Sequence, residues 1–91
     1  TDIWFDRIIA NPPFAKNQDI DHIREMYKRL NSGGILVTIA SRHWYNASGK
    51  KEKEFHEWLL DIEADIQMLD QGLFKESGTM IPTILLTIHK P

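Results

Sequence analysis

Apolar positions along the chain alternate between short unbroken runs and stripes at three- and four-residue spacing. The first run, Ile8-Ile9-Ala10, ends at Asn11-Pro12-Pro13. It reads as a buried strand, since a residue before proline is pushed toward extended geometry. Ile20, Ile23, Tyr27 and Leu30, with Met26 beside them, form a helical stripe. Asp19 suits the N-cap of that helix and Asn31-Ser32-Gly33-Gly34 its stop. The run from Ile35 to Ala40 is apolar apart from Thr38, as in a central strand covered on both faces. Phe55, Trp58, Leu59 and Ile62 make a second stripe, flanked by the lysines at 50, 51 and 53. A weaker strand pattern covers 65–70, and Gly72 to Thr79 reads as a turn. In the final run Ile84, Leu86 and Ile88 alternate with Leu85, Thr87 and His89. The pattern therefore predicts strands near 6–11, 35–41, 65–70 and 81–89, and helices near 19–31 and 50–62.

Strand–helix–strand–helix–strand implies an α/β chain with a parallel sheet and right-handed crossovers. The short turn before the last strand makes that strand antiparallel, because a parallel return needs a long crossover. A four-stranded mixed sheet results. The loops after the first three strands, Asn11–Phe14, Ser41–Asn46 and Gly72–Thr79, are expected at one rim around a single pocket.

Composition narrows the setting. With 91 residues the chain forms one small domain. Its formal net charge of -2 gives no general pull toward nucleic acid. It has no cysteine, so disulfides and thiolate metal sites are excluded, and a reducing cytoplasm is the expected compartment. His22, His43, His56 and His89 are too dispersed for a metal site, and no apolar stretch suits a membrane span. Thr1-Asp2-Ile3-Trp4 is neither a signal peptide nor a methionine start, and reads as a point inside a longer protein.

Asn11-Pro12-Pro13-Phe14 carries the candidate chemistry. By average residue usage, Asn-Pro-Pro-aromatic arises by chance about once in a thousand chains of this length. It lies at the carboxyl end of a strand, the edge where open α/β sheets bind ligands. An exocyclic amino group on a base is a poor nucleophile, because its lone pair is delocalised into the ring. Accepting hydrogen bonds from both amino hydrogens helps localise that pair. The Asn11 side-chain oxygen suits one acceptor and the Pro12 carbonyl the other. The prolines fix φ and add no competing donor. Phe14 offers a flat apolar face for a flipped base. No metal is required.

These residues resemble the fourth motif of the Rossmann-like amino-methyltransferases, Asp/Asn/Ser-Pro-Pro-Tyr/Phe/Trp. Phe5 through Phe14, Gln18-Asp19-Ile20-Asp21-His22-Ile23, the Gly33-Gly34-Ile35-Leu36-Val37 run and Ser77-Gly78-Thr79 are similar to bacterial and phage DNA adenine methyltransferases. The resemblance implies the C-terminal half of a Rossmann-like methyltransferase sheet, mixed, with the last strand antiparallel. It implies S-adenosylmethionine as cofactor, DNA as partner and the 6-amino group of adenine as acceptor. RNA adenine, RNA guanine and protein glutamine methyltransferases share the tetrapeptide pattern and remain open as alternatives. So does a non-catalytic α/β binding module derived from such an enzyme. The catalytic residues implied are Asn11, Pro12, Pro13 and Phe14. The backbone at Asn11 and Pro12 is implied to touch cofactor, and Phe14, Arg42 and Phe74 the substrate. The family's glycine-rich cofactor loop follows a strand and opens a helix, and Gly33-Gly34 does not, since it enters a strand. Residues 1–91 thus read as a partial catalytic domain whose cofactor-binding half is absent.

Plainer roles compete at several positions. Asp19 suits a helix cap, His22 the helix surface, and Arg42-His43-Trp44 a solvated loop. Lys50, Lys51 and Lys53, interleaved with Glu52 and Glu54, suit a solvated helix face. Phe74 suits an anchor for its turn. In the family's strand order a further strand lies beside Arg7-Ile8-Ile9-Ala10. Without it that strand is an unpaired apolar edge, and self-association through it is expected.

Overall fold

The computed structural model describes residues 3–45, 47–69 and 83–91. Four strands and two helices follow in the order β1 (Phe5–Ala10), α1 (Gln18–Lys28), β2 (Leu30–Ser41), α2 (Lys50–Asp61), β3 (Asp65–Met68) and β4 (Thr83–His89). Single 3-10 turns at Ala15–Asn17 and His43–Tyr45 precede α1 and α2.

The sheet order is β1-β2-β4-β3. β1 and β2 are parallel, while β4 runs antiparallel to both of its neighbours, β2 and β3. The last strand is therefore reversed, as the short turn read before it predicts, and it inserts between β2 and β3. Being antiparallel to β4, β3 runs in the same direction as β1 and β2. All three point their carboxyl ends at one edge.

Both helices pack on one face. Crossovers of one hand that advance in one direction across a sheet place their helices on the same side. Ile20 and Ile23 of α1 join Phe55 and Leu59 of α2 in a single core with Leu36, Ala40, Ile84, Leu86 and Ile88. The opposite face carries Ile9, Ile35, Val37, Ile39 and Leu85. Ile35, Val37, Ile39 and Leu85 are half-buried, and Ile9 is 86% exposed. The reading of β2 as covered on both faces is corrected here, since α1 and α2 lie on the same side of it.

The expected helix stop at Asn31–Gly34 is also corrected. α1 ends at Lys28, and Leu30–Gly34 already belong to β2. The register slips between Phe5↔Leu30 and Arg7↔Ile35, so this stretch bulges out of the β1–β2 ladder. Gly33 has a φ of 82°, which disfavours any side chain there. A Cβ on Gly34 would come within 2.8 Å of the Asn31 carbonyl oxygen. The bulge is tied down by Asn31 Nδ2 donating to Asp6 Oδ1 at 2.9 Å and Gly33 N–H donating to the Lys90 carbonyl at 2.7 Å.

Among the described residues β1 pairs with β2 alone, so Phe5–Ala10 is an edge of the described sheet. Ile3, Trp4 and Phe5 at its start are exposed. Among the described residues, no helix is long and apolar enough to cross a membrane and no cluster of side chains could hold a metal ion.

Candidate functional site

Ala10 pairs with Thr38, so the chain leaves β1 at Asn11 while β2 continues beside it to Ser41. Asn11 is exposed, Pro12 is buried, Pro13 is exposed and Phe14 is half-buried. Burial fixes the Pro12 ring against the protein and leaves the Asn11 amide accessible. The partial exposure of Phe14 is what a stacking face requires. Asn11 also borders a concavity of about 370 Å³ on the helix-free face, lined by Ile9, Ala10, Val37, Thr38, Ile39 and Leu85. This hollow is almost wholly apolar.

After Phe14 the chain turns sharply. Lys16 and Asn17 both adopt left-handed backbone, with φ of 55° and 61°, which costs non-glycine residues energy. Asn17 is the N-cap of α1 and makes no side-chain capping bond. Asp19, expected to cap the helix, sits inside the first turn, is fully buried and reaches across to β2. Its Oδ2 accepts a hydrogen bond from the Ser41 N–H at 2.9 Å. Burial pushes the Asp19 carboxyl above its ordinary 3.8. The N–H groups of Ser41, Ile20 and Asp19 itself, and the Trp44 indole, pull in the opposite direction. Asp19 thus joins the first turn of α1 to the end of β2.

The loop after β2 is built rather than solvated. Ser41 Oγ accepts from the His43 N–H at 3.0 Å, and the Arg42 carbonyl accepts from the Tyr45 N–H at 3.1 Å. Trp44 is 1% exposed and meets the Phe55 ring edge-on, with centroids 4.7 Å apart. The solvated-loop reading of Trp44 is corrected: a large aromatic near the strand end fills the space above α2. Arg42 is half-buried and His43 is exposed on the same turn. Trp44 and Tyr45 border a second concavity of about 400 Å³ with Lys53, His56 and Leu60.

Parallel β1 and β2 bring Asn11–Phe14 and Ser41–Tyr45 to one sheet edge. Phe74 and the Gly72–Thr79 turn lie outside the described residues, as do Asn46 and with it the third wall of the expected pocket. His22 is exposed on α1. Lys51 is committed to Asp21 through a 2.9 Å ion pair that joins α2 to α1, and Lys50 approaches Glu54 at 4.0 Å. The role of Asp19 is a site feature that pattern reading missed. The signal was present: Asp19, Ile23 and Met26 fall at helical spacing on α1, so a carboxyl there faces the core.

The chain is similar in fold to solved structures. No family model matches the chain, and no curated protein matches it. One of the similar solved structures is that of a protein from Streptococcus mutans described as "a putative SAM-dependent methyltransferase". It superposes with a TM-score of 0.47 and 18% identity over 94% of this chain and 26% of its own. This chain thus spans about a quarter of that protein's length.

Proposed function

We propose that this chain supplies the amino-acceptor side of a methyltransferase active site, with adenine in DNA as the acceptor and S-adenosylmethionine as the methyl donor. The observation that carries the reading is the state of the tetrapeptide at the end of β1. Asn11 is open, Pro12 is buried and Phe14 is half-buried at the carboxyl end of a parallel strand. Such an edge is where ligands reach an α/β sheet.

In this reading the base stacks on Phe14 and presents its amino group to Asn11 Oδ1 and the Pro12 carbonyl. Accepting both amino hydrogens draws the lone pair out of the ring and aims it along the line of attack. The Pro12 carbonyl holds its direction because φ is fixed by the ring and the ring itself is buried. These acceptors strengthen as positive charge develops on the nitrogen, so they favour the transition state over bound substrate.

The donor supplies an electrophilic methyl group. The described residues fit only part of it. A ribose needs an accessible acceptor at a strand end, and the acidic side chain nearest this edge, Asp19, is fully buried and bonded to Ser41. The chain's one Gly-Gly pair lies in the β2 bulge instead of after a strand. None of the described residues is therefore assigned to the donor's nucleoside.

The test is transfer of labelled methyl from S-adenosylmethionine by the complete natural protein, followed by nucleoside analysis. Label in N6-methyladenine from duplex DNA supports the reading. Label found only in RNA or in protein glutamine reassigns the acceptor, and no transfer to any of the three contradicts the activity.

A further inference from the structure

Asp19 is the only fully buried acidic side chain among the described residues. One of its oxygens, Oδ2, is engaged by the Ser41 N–H. Among the described residues just two buried side-chain polar atoms lack a hydrogen-bond partner: Asp19 Oδ1 and Trp44 Nε1. One can only accept and the other can only donate. Trp44 belongs to the same short turn that Asp19 already holds through Ser41.

We propose that Asp19 is a positioning residue that grips the turn after β2 at two points, the Ser41 amide and the Trp44 indole N–H, and so fixes that turn against the Asn11–Phe14 loop. The Trp44 indole is near enough to act on the Asp19 carboxyl, and burial makes leaving the two atoms unpaired costly. The backbone between Phe14 and Asp19 supports the same role. Left-handed Lys16 and Asn17 persist only where the surroundings over-determine them. The buried Pro12 on one side and the anchored Asp19 on the other do so. The far side of the turn is held by Trp44 against Phe55. The grip therefore spans three elements: the start of α1, the end of β2 and the turn leading to α2.

The consequence for rate rests on the amino-transfer reading above, whereas the grip itself rests on geometry alone. Asp19→Asn keeps the size of the side chain and an acceptor for Ser41. It sets an amide NH2 against the Trp44 N–H, donor facing donor. Trp44→Phe removes the donor and retains a ring.

The experiment uses the complete natural protein with 15N-labelled tryptophan. The Trp44 indole signal is identified by its loss in Trp44→Phe. It is expected to move upfield in Asp19→Asn, as an indole N–H does on losing a carboxylate acceptor. In methyl-transfer assays both variants are expected to lower kcat by about 10- to 100-fold with KM for the nucleic acid little changed, as for a small misplacement of reacting groups. The double variant should lose no more than the worse single one. An indole signal unmoved in Asp19→Asn overturns the grip. Unchanged kcat in both single variants of an active enzyme overturns the positioning role. An inactive wild type would count against the amino-transfer reading, and the indole signal would still decide the grip. If Asp19→Asn does not fold, the kcat and KM of Trp44→Phe decide the positioning role.

Discussion

The carboxylate of Asp19 and the backbone N–H of Ser41 lie 2.9 Å apart and join the first turn of α1 to the last residue of β2. The bond crosses the edge from which the Asn11–Phe14 loop departs. A buried carboxyl at this junction has a consequence for stability. An acid whose pKa is higher folded than unfolded favours the fold when protonated. Its contribution is complete below 3.8 and is lost as pH rises through the raised folded value. Asp19→Asn cannot titrate. The unfolding free energy of Asp19→Asn relative to wild type should therefore shift in the variant's favour as pH rises from below 3.8 through that window. Urea unfolding at a series of pH values measures it. A constant difference, or one that shifts toward wild type, contradicts the assignment.

Phe14 is half-buried, so its ring both packs and presents a face. Phe14→Ala should impair methyl transfer by the complete natural protein, while Phe14→Tyr and Phe14→Trp should retain much of it, since both keep a flat ring. Steady-state kinetics on the three variants decides. Equal rates for Phe14→Ala and wild type would remove stacking from the mechanism.

β1 exposes Ile9 at 86%, beside exposed Ile3, Trp4 and Phe5, on a strand with one partner among the described residues. Unpaired apolar edges template pairing with other chains. The 91-residue chain should associate as its concentration rises, and Ile9→Lys should suppress association by placing a charge on the edge. Light scattering across a concentration series reads this. A stable monomer at high concentration contradicts it.

In the proposed reading the described residues furnish only the acceptor side of a methyl-transfer site. Calorimetry of the 91-residue chain with S-adenosylmethionine should show no useful binding. Micromolar affinity would mean that these residues hold the nucleoside after all.

Much of this architecture is legible in the chain. Period-two and period-3.6 patterns locate all six elements, and the short approach to β4 implies its reversal. The missed features share a physical cause: each depends on contacts distant in sequence. Asn31–Gly34 looks like a helix stop because glycine ends helices. It becomes a strand bulge because Gly33 and Gly34 pair with Lys90, at the far end of β4. Trp44 looks like loop because no periodicity surrounds it, and it is buried because Phe55 of α2 folds back onto it. Asp19 looks like a cap because of its position near a helix start. Its true partner, Ser41, becomes visible only once β2 lies beside β1. Asn11–Phe14 is legible for the opposite reason, since a strand end, two prolines and an aromatic are all local.

The central claim is that Asn11 accepts a hydrogen bond from the reacting amino group, and methyl transfer by Asn11→Ala in the complete natural protein tests it most directly. Removing one transition-state hydrogen-bonding group should lower turnover at least ~100-fold, with the fold intact because Asn11 is exposed. A near-normal rate for Asn11→Ala would contradict the account.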